Sequence, residues 1–237
     1  FSGTVIYHER QRENGEAAKK ARRIIFGTDM FTLSEFVMGE TLSIGAIHQS
    51  VFQFLQGRTD LAVYGAQAVN AYVTDEPRMT QDIDLVSTRA EALASEVREH
   101  LATEFHIAVR VRKVAGGNGF RVYQIRQPSN WNLVDVRQVD TLPETERKGD
   151  IPVVALAPLI ASKVVAYTNR RGHYKSGTDF RDVALMLLRF PEYKRDPGPV
   201  TEALCKMGDD RALTVFRKEF LHPDLKPDQK RTRGPER

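Results

Sequence analysis

Hydrophobic positions along the chain switch between two periods, and each switch marks an element. From Thr41 to Leu55, apolar residues recur at Leu42, Ile44, Ala46, Ile47, Val51, Phe52 and Leu55, the spacing of an amphipathic helix that Gly57 stops. Leu61-Ala62-Val63-Tyr64-Gly65-Ala66 is a short apolar run ending in glycine, which predicts a buried strand with a sharp turn. Gln67 to Tyr72 has the content of a helix packed on a sheet. The run around Ile83, Leu85 and Val86 is a second strand, and Arg89 to Glu104 a crossover helix capped by Ser87 or Thr88. His106–Val114 and Phe120–Ile125 alternate with period two across Ala115-Gly116-Gly117-Asn118-Gly119, a hairpin signal. A glycine-rich nucleotide loop is the competing reading, but the strand-to-helix context of such loops is missing. Trp131 to Val136 forms another strand.

Pro143 to Gly149 is charged and turn-like and reads as a boundary. Beyond it, Val153–Leu156 leads into a helix from Pro158 to about Asn169, with Pro158 in its first turn. A further helix starts near Asp179, runs through Leu188 and is closed by Pro191. After a Pro197–Pro199 linker, Val200–Met207 and Arg211–Phe220 read as two short helices. Near the start, Ala17–Phe26 reads as a basic helix carrying Lys19, Lys20, Arg22 and Arg23, and Glu35–Met38 as a short helix capped by Thr32 or Ser34. The expected organisation is an N-terminal extension (1–40), a core domain (41–150), a C-terminal helical domain (151–225) and a charged, disordered tail (226–237).

Composition narrows the class. The chain is 41% hydrophobic and 28% charged, ordinary for a globular protein. No apolar run approaches the roughly 20 residues that span a bilayer. The first residues lack the charged-then-apolar order of a secretory leader. The expectation is a cytoplasmic protein without a membrane partner. A single cysteine, Cys205, excludes an internal disulfide; with no histidine nearby it is expected to be buried and structural. The net charge of +4 suits a polyanionic partner.

Candidate chemistry centres on Asp82-Ile83-Asp84. On a strand both carboxylates would point the same way, with Cα atoms roughly 6.6–7 Å apart, while Ile83 points into the core. Such a pair repels itself unless a cation lies between, and hard oxygen donors suit Mg²⁺ or Mn²⁺. Asp135 is a lone carboxylate in an apolar strand; the alternative reading pairs it with Arg137 or Arg121. Arg110 and Arg112 share one face of their strand and Val109 and Val111 the other. The basic side reads as the exposed side of a sheet, with guidance of a phosphate backbone as the alternative. Lys163 lies within an apolar helical pattern, and His48 reads as packing or surface.

Gly-small, a helix, then Arg78-Met79-Thr80-Gln81-Asp82-Ile83-Asp84-Leu85 resembles the nucleotidyltransferase superfamily. More narrowly it is similar to the AbiEii/AbiGii-type branch, whose members include toxins of bacterial toxin–antitoxin and phage-defence systems. The resemblance covers roughly Leu42 to Leu188. It implies an α+β fold, a mixed sheet with flanking helices followed by a C-terminal helical region. It also implies metal-dependent transfer of a nucleoside monophosphate from an NTP to RNA, notably the 3′ end of tRNA, or to a protein, with a cognate antitoxin as possible partner. Asp82, Asp84 and Asp135 would hold the metal, Asp135 alternatively taking the acceptor's proton. Lys163, in Leu-Ile-Ala-Ser-Lys-Val, would face the triphosphate. Gly65, Ala66, Arg78, Thr80, Arg171, Lys175 and Asp179 would complete the nucleotide site. Ala66 departs from the Gly or Ser usual there and offers no hydroxyl. Two other readings are an idle nucleotide-, RNA- or partner-binding protein on the same fold and a metal-dependent hydrolase.

Overall fold

The computed structural model describes residues 43–114 and 117–221. The expected helices at Ala17–Phe26 and Glu35–Met38, and the expected tail, lie outside the described residues. The first described helix, α1 (Ile44–Leu55), is capped by the Ser43 hydroxyl, which accepts from the Ala46 amide. It leads into β1 (Leu61–Tyr64), α2 (Gly65–Tyr72), β2 (Ile83–Ser87) and α3 (Ala90–Phe105). Strands β3 (Val109–Lys113), β4 (Gly119–Gln124) and β5 (Trp131–Gln138) follow, then β6 (Thr145–Lys148) and β7 (Ile151–Val154). The last described elements are α4 (Leu156–Asn169), α5 (Lys175–Arg189), α6 (Pro199–Met207) and α7 (Asp210–Val215), this last continued by a π-helical turn, Phe216–Phe220.

The strands make one seven-stranded mixed sheet in the order β3-β4-β5-β2-β1-β7-β6. β2 runs antiparallel to β1 and parallel to β5, and β7 runs parallel to β1. Because side chains alternate across a sheet, one residue of register separates two very different rows. Val111, Val122, Val134 and Ile83 are successive register partners across β3, β4, β5 and β2. The last three are fully buried, on the side where α3 packs through Leu93, Ala94, Val97 and Leu101. One position along, Arg112, Arg121, Asp135, Asp84 and Tyr64 form the adjacent row.

α1 packs on α3, while the remaining helices gather around α2 towards β1 and β7. α2 packs on β1, β2 and β7 and touches α4 and α5, and the Tyr72 hydroxyl donates to the Val154 carbonyl at 3.1 Å. α4 carries Leu159, Ile160, Ala161 and Val164, all fully buried, against α5, α6 and α7. Phe216 and Phe220 close the core beneath Tyr167 and Phe180.

The structure departs from expectation at four points. The turn-like segment 143–149 contains β6, the outermost strand of its side of the sheet; Glu146 and Arg147 are exposed and Lys148 is half-buried, which an edge strand tolerates. Through β7, residues 151–154 belong to the same sheet as the strands before residue 150. α5 begins at Lys175, so Asp179 and Asp182 sit inside it rather than at its start. Cys205 is exposed, because the inner stripe of α6 is Val200, Thr201 and Leu204.

Candidate active site

β1 ends where Gly65 takes φ +69°, a left-handed conformation that glycine adopts without strain. The turn brings the start of α2 against the β2 side chain Asp84: a Cβ built on Gly65 would stand 2.0 Å from Asp84 Oδ2. The resemblance assigns Gly65 to the nucleotide site; in the fold, the space it leaves is filled by a carboxylate. Ala66 follows in the first turn of α2 and is buried.

The segment between α2 and β2 is tied at both ends. The Asn70 side chain accepts from the Arg78 amide at 3.0 Å and donates to the Arg78 carbonyl at 2.8 Å. The Thr80 hydroxyl donates to the Asp82 carbonyl at 3.1 Å. His48, on α1, contacts the Gln81 carbonyl and the Gln67 side chain, in keeping with a packing role. Asp82 lies one residue before β2, so strand alternation does not by itself aim it. Its charge still reaches the site. Burial, followed by the charges of Asp82 and Asp135, pushes the Asp84 carboxyl up to about 6, against the opposing fields of Lys163 and Arg137. Burial and then Asp84 raise the Tyr64 hydroxyl to about 12, and the Arg137 guanidinium lies 5.3 Å from that ring.

Asp135 is the parallel-strand register partner of Asp84. It also accepts two hydrogen bonds from Arg121, both of 2.7 Å, the alternative partner that its sequence context offered. Arg121 is held protonated by that carboxylate first and by the fields of Asp82 and Asp84 beyond it, so it acts as an internal counter-ion to the group.

Lys163 is buried on α4. Its ammonium lies 2.8 Å from Asp182 and 3.7 Å from Asp179, two buried carboxylates one helical turn apart on α5. Asp182, fully buried, also accepts from Arg78 Nε at 3.1 Å and Nη2 at 3.2 Å. Asp179 is paired in addition with Arg170 at 2.9 Å. Thus Asp182 joins Lys163 to Arg78, and with it the segment before β2 to the helical region. The sequence carries no signal for Asn70, and it leaves Asp182 between a role in the site and that of an ordinary acidic residue at a helix start. For Asp182 the available signal was an acidic residue on the apolar stripe with Val183 and Met186.

Arg171 and Lys175 are not brought to this group. Arg171 pairs with Glu219 and lies over Tyr167, and the Lys175 ammonium lies 6.0 Å from the centre of the Tyr174 ring. Among the described residues, no group of three His, Cys, Asp or Glu side chains is placed to hold a metal ion alone. Arg121 engages one of the three expected ligands, and another precedes the strand. The donor chemistry nevertheless fits a hard divalent cation. Asp84 carries the unfavourable field of two further carboxylates, and Mg²⁺ takes one or two protein carboxylates with the rest of its shell from water and phosphate.

Residues 50–233 match the family model described as nucleotidyl transferase AbiEii toxin, type IV toxin–antitoxin system. The chain belongs to the AbiEii family. Among curated proteins, none matches in sequence. Among solved structures, the Megavirus polyadenylate synthase superposes with a TM-score of 0.55 at 15% identity, over 93% of this chain and 44% of that one. The chain therefore spans less than half the length of that neighbour, and the likeness is one of fold. Two others have lower scores: an antigenic nucleotidyltransferase-like protein from Paracoccidioides brasiliensis (TM-score 0.39, 17% identity, 72% of this chain and 89% of that one) and the antibiotic-resistance factor ANT(2'')-Ia (0.43, 12%, 76% and 96%). In this AbiEii chain the matched region begins at Ser50 in α1 and takes in the sheet, the carboxylates and the Lys163–Asp182 contact. No helix among the described residues is long and apolar enough to cross a membrane.

Proposed function

We propose that this AbiEii chain transfers a nucleoside monophosphate from an NTP to an acceptor hydroxyl, with Mg²⁺ or Mn²⁺ held at Asp82 and Asp84, and acts as a toxin restrained by a cognate antitoxin. The observation that supports this best is the juxtaposition of Asp84 with Asp135 on adjacent parallel strands, beside the Gly65 turn. A bound divalent cation supplies neutralisation of phosphate charge during in-line displacement.

The chain's own residues supply the rest. Asp84, whose affinity for a proton is raised by burial and then by the charges of Asp82 and Asp135, is the first carboxylate to gain from a cation. Asp135 either completes the shell or takes the proton of the attacking hydroxyl, and Arg121 sets its orientation. Lys163 and Arg78, both fixed by Asp182, contribute positive charge towards the departing pyrophosphate. The turn at Gly65–Ala66, with Thr80 holding the segment before Asp82, shapes the nucleotide's entry. Asp179 joins the site through Lys163, at 3.7 Å, whereas Arg171 and Lys175, engaged with Glu219 and beside Tyr174, are no part of it. The acceptor class follows from the resemblance: RNA, notably the tRNA 3′ end, with a protein side chain as the second choice.

The test is incorporation of each radiolabelled NTP into total tRNA and total protein with Mg²⁺, comparing wild type with Asp82→Ala/Asp84→Ala. Label with wild type alone supports transfer and names both nucleotide and acceptor. Folded wild type that labels neither overturns it in favour of an idle binding protein.

A further inference from the structure

The row that carries Asp84 and Asp135 continues away from them as Arg121 on β4 and Arg112 on β3. Arg110 and Tyr123, register partners two positions along, share this face. Arg112 to Asp84 is three inter-strand steps, about 14 Å. The opposite face of these strands is the valine row covered by α3, whereas Arg110, Arg112 and Arg137 are exposed and Tyr123 half-buried. Neither Arg110 nor Arg112 has a carboxylate partner among the described residues. The sequence accounts for this: from Phe105 to Val134 the chain has five basic residues, Arg110, Arg112, Lys113, Arg121 and Arg126, and not one Asp or Glu. A merely solvated strand face mixes both signs; this one leads in a single sign up to the carboxylates.

Aromatic rings interleave with the guanidinium groups. Arg112 lies 5.5 Å from the centre of the Tyr123 ring, and Arg137 5.3 Å from that of Tyr64. Alternating cationic and π surfaces on a sheet suit a strand whose phosphates meet arginine and whose bases stack. An acidic peptide would satisfy the charge but offer nothing to the rings.

We propose that the exposed face of β3, β4 and β5 is the docking surface for a single-stranded RNA acceptor, leading its reactive end to Asp84 and Asp135. This rests on the nucleotidyl-transfer reading above.

The test is binding of a 5′-fluorescein single-stranded RNA 12-mer to the full chain by anisotropy, without NTP or divalent cation, across a salt series. Wild type is expected to bind, and Arg110→Ala/Arg112→Ala to bind about tenfold more weakly, with the slope of log K against log salt reduced by about 1.4 for two lost phosphate contacts. Tyr123→Leu should weaken binding several-fold and leave the slope unchanged. Lys206→Ala/Lys218→Ala, on exposed positions of the C-terminal helices, should match wild type. Equal affinity of wild type and the arginine double variant overturns the proposal, as does displacement of the RNA by oligoglutamate at equal charge concentration. If wild type labels protein from NTP yet shows either of these results, the transfer reading stands and this docking surface falls. If the RNA binds as expected but no NTP is incorporated, the surface stands and transfer falls.

Discussion

Gly65 and Asp84 share one volume: the space a Cβ at residue 65 would fill is occupied by the Asp84 carboxylate, 2.0 Å away. The Gly65→Ala variant must therefore both adopt a left-handed φ, at about 1–2 kcal/mol, and displace the carboxylate, at about 1–3 kcal/mol. Urea unfolding is expected to show a loss of about 2–5 kcal/mol, with nucleotide incorporation abolished. A variant within about 0.5 kcal/mol of wild type would mean that the turn is free to adjust.

Asp84 gives stability a distinctive pH dependence. Its carboxyl rises from 3.8 to about 6 on folding, so between those values the folded chain binds more protons than the unfolded one, and stability falls as pH rises. Below the interval the contribution is flat, and above about pH 6 the ionised group costs on the order of 2–3 kcal/mol. Asp84→Asn should melt higher than wild type at pH 7.5 and converge with it near pH 4. Added Mg²⁺ should raise the wild-type Tm and leave the variant's unchanged. Equal Tm values at pH 7.5 would contradict the buried like-charge group.

Asp182 compensates two cations from a fully buried position. Replacing it with Ala leaves Lys163 buried without its nearest partner, and a loss of about 3–5 kcal/mol is expected. The Lys163→Met/Asp182→Leu double variant should recover most of that stability while remaining inactive. Chemical denaturation beside NTP incorporation separates the two effects. A double variant as unstable as Asp182→Ala would show that Arg78, not Lys163, is the group left stranded.

Asp60 works in the opposite pH direction. It accepts from Arg58 at 2.9 and 2.7 Å and from Arg89 at 2.6 Å, and these bonds, Arg58 first, lower its carboxyl from 3.8 to about 2. That contribution is present above about pH 4 and lost as pH falls towards 2. Arg58→Ala should remove about 1–2 kcal/mol at pH 7, the pair being partly exposed, and less at pH 2.5. A loss independent of pH would assign Arg58 to packing on Phe54, over whose ring it lies at 5.0 Å.

Much of the sheet is legible because period-two alternation is a local property. Val109 and Val111 against Arg110 and Arg112 announce both the strand and its two faces, and the structure keeps that division. β6 is not legible in the sequence, because an edge strand with mostly exposed side chains has no apolar face to announce it. Asp179 and Asp182 have the character of N-terminal helix residues, so the sequence points to a start of α5 later than Lys175. Their burial against Lys163, Arg78 and Arg170 draws them into the helix interior, and those contacts come from other elements. The resemblance assigns Arg171 and Lys175 to the nucleotide; in the fold Arg171 pairs with Glu219, a residue distant in sequence.

By itself the sequence determined the strand–glycine–helix turn, the Asp82-Ile83-Asp84 pair, the valine and arginine faces of the hairpin, and the family resemblance that the match over residues 50–233 bears out. Only the tertiary structure decided that β5 lies parallel to β2 in the register that sets Asp135 beside Asp84, that Arg121 is the partner Asp135 takes, and that Asp182 joins Lys163 to Arg78. Local propensity and periodicity act over neighbouring residues. Strand register and buried charge pairing are settled by which surfaces the whole chain can bury together.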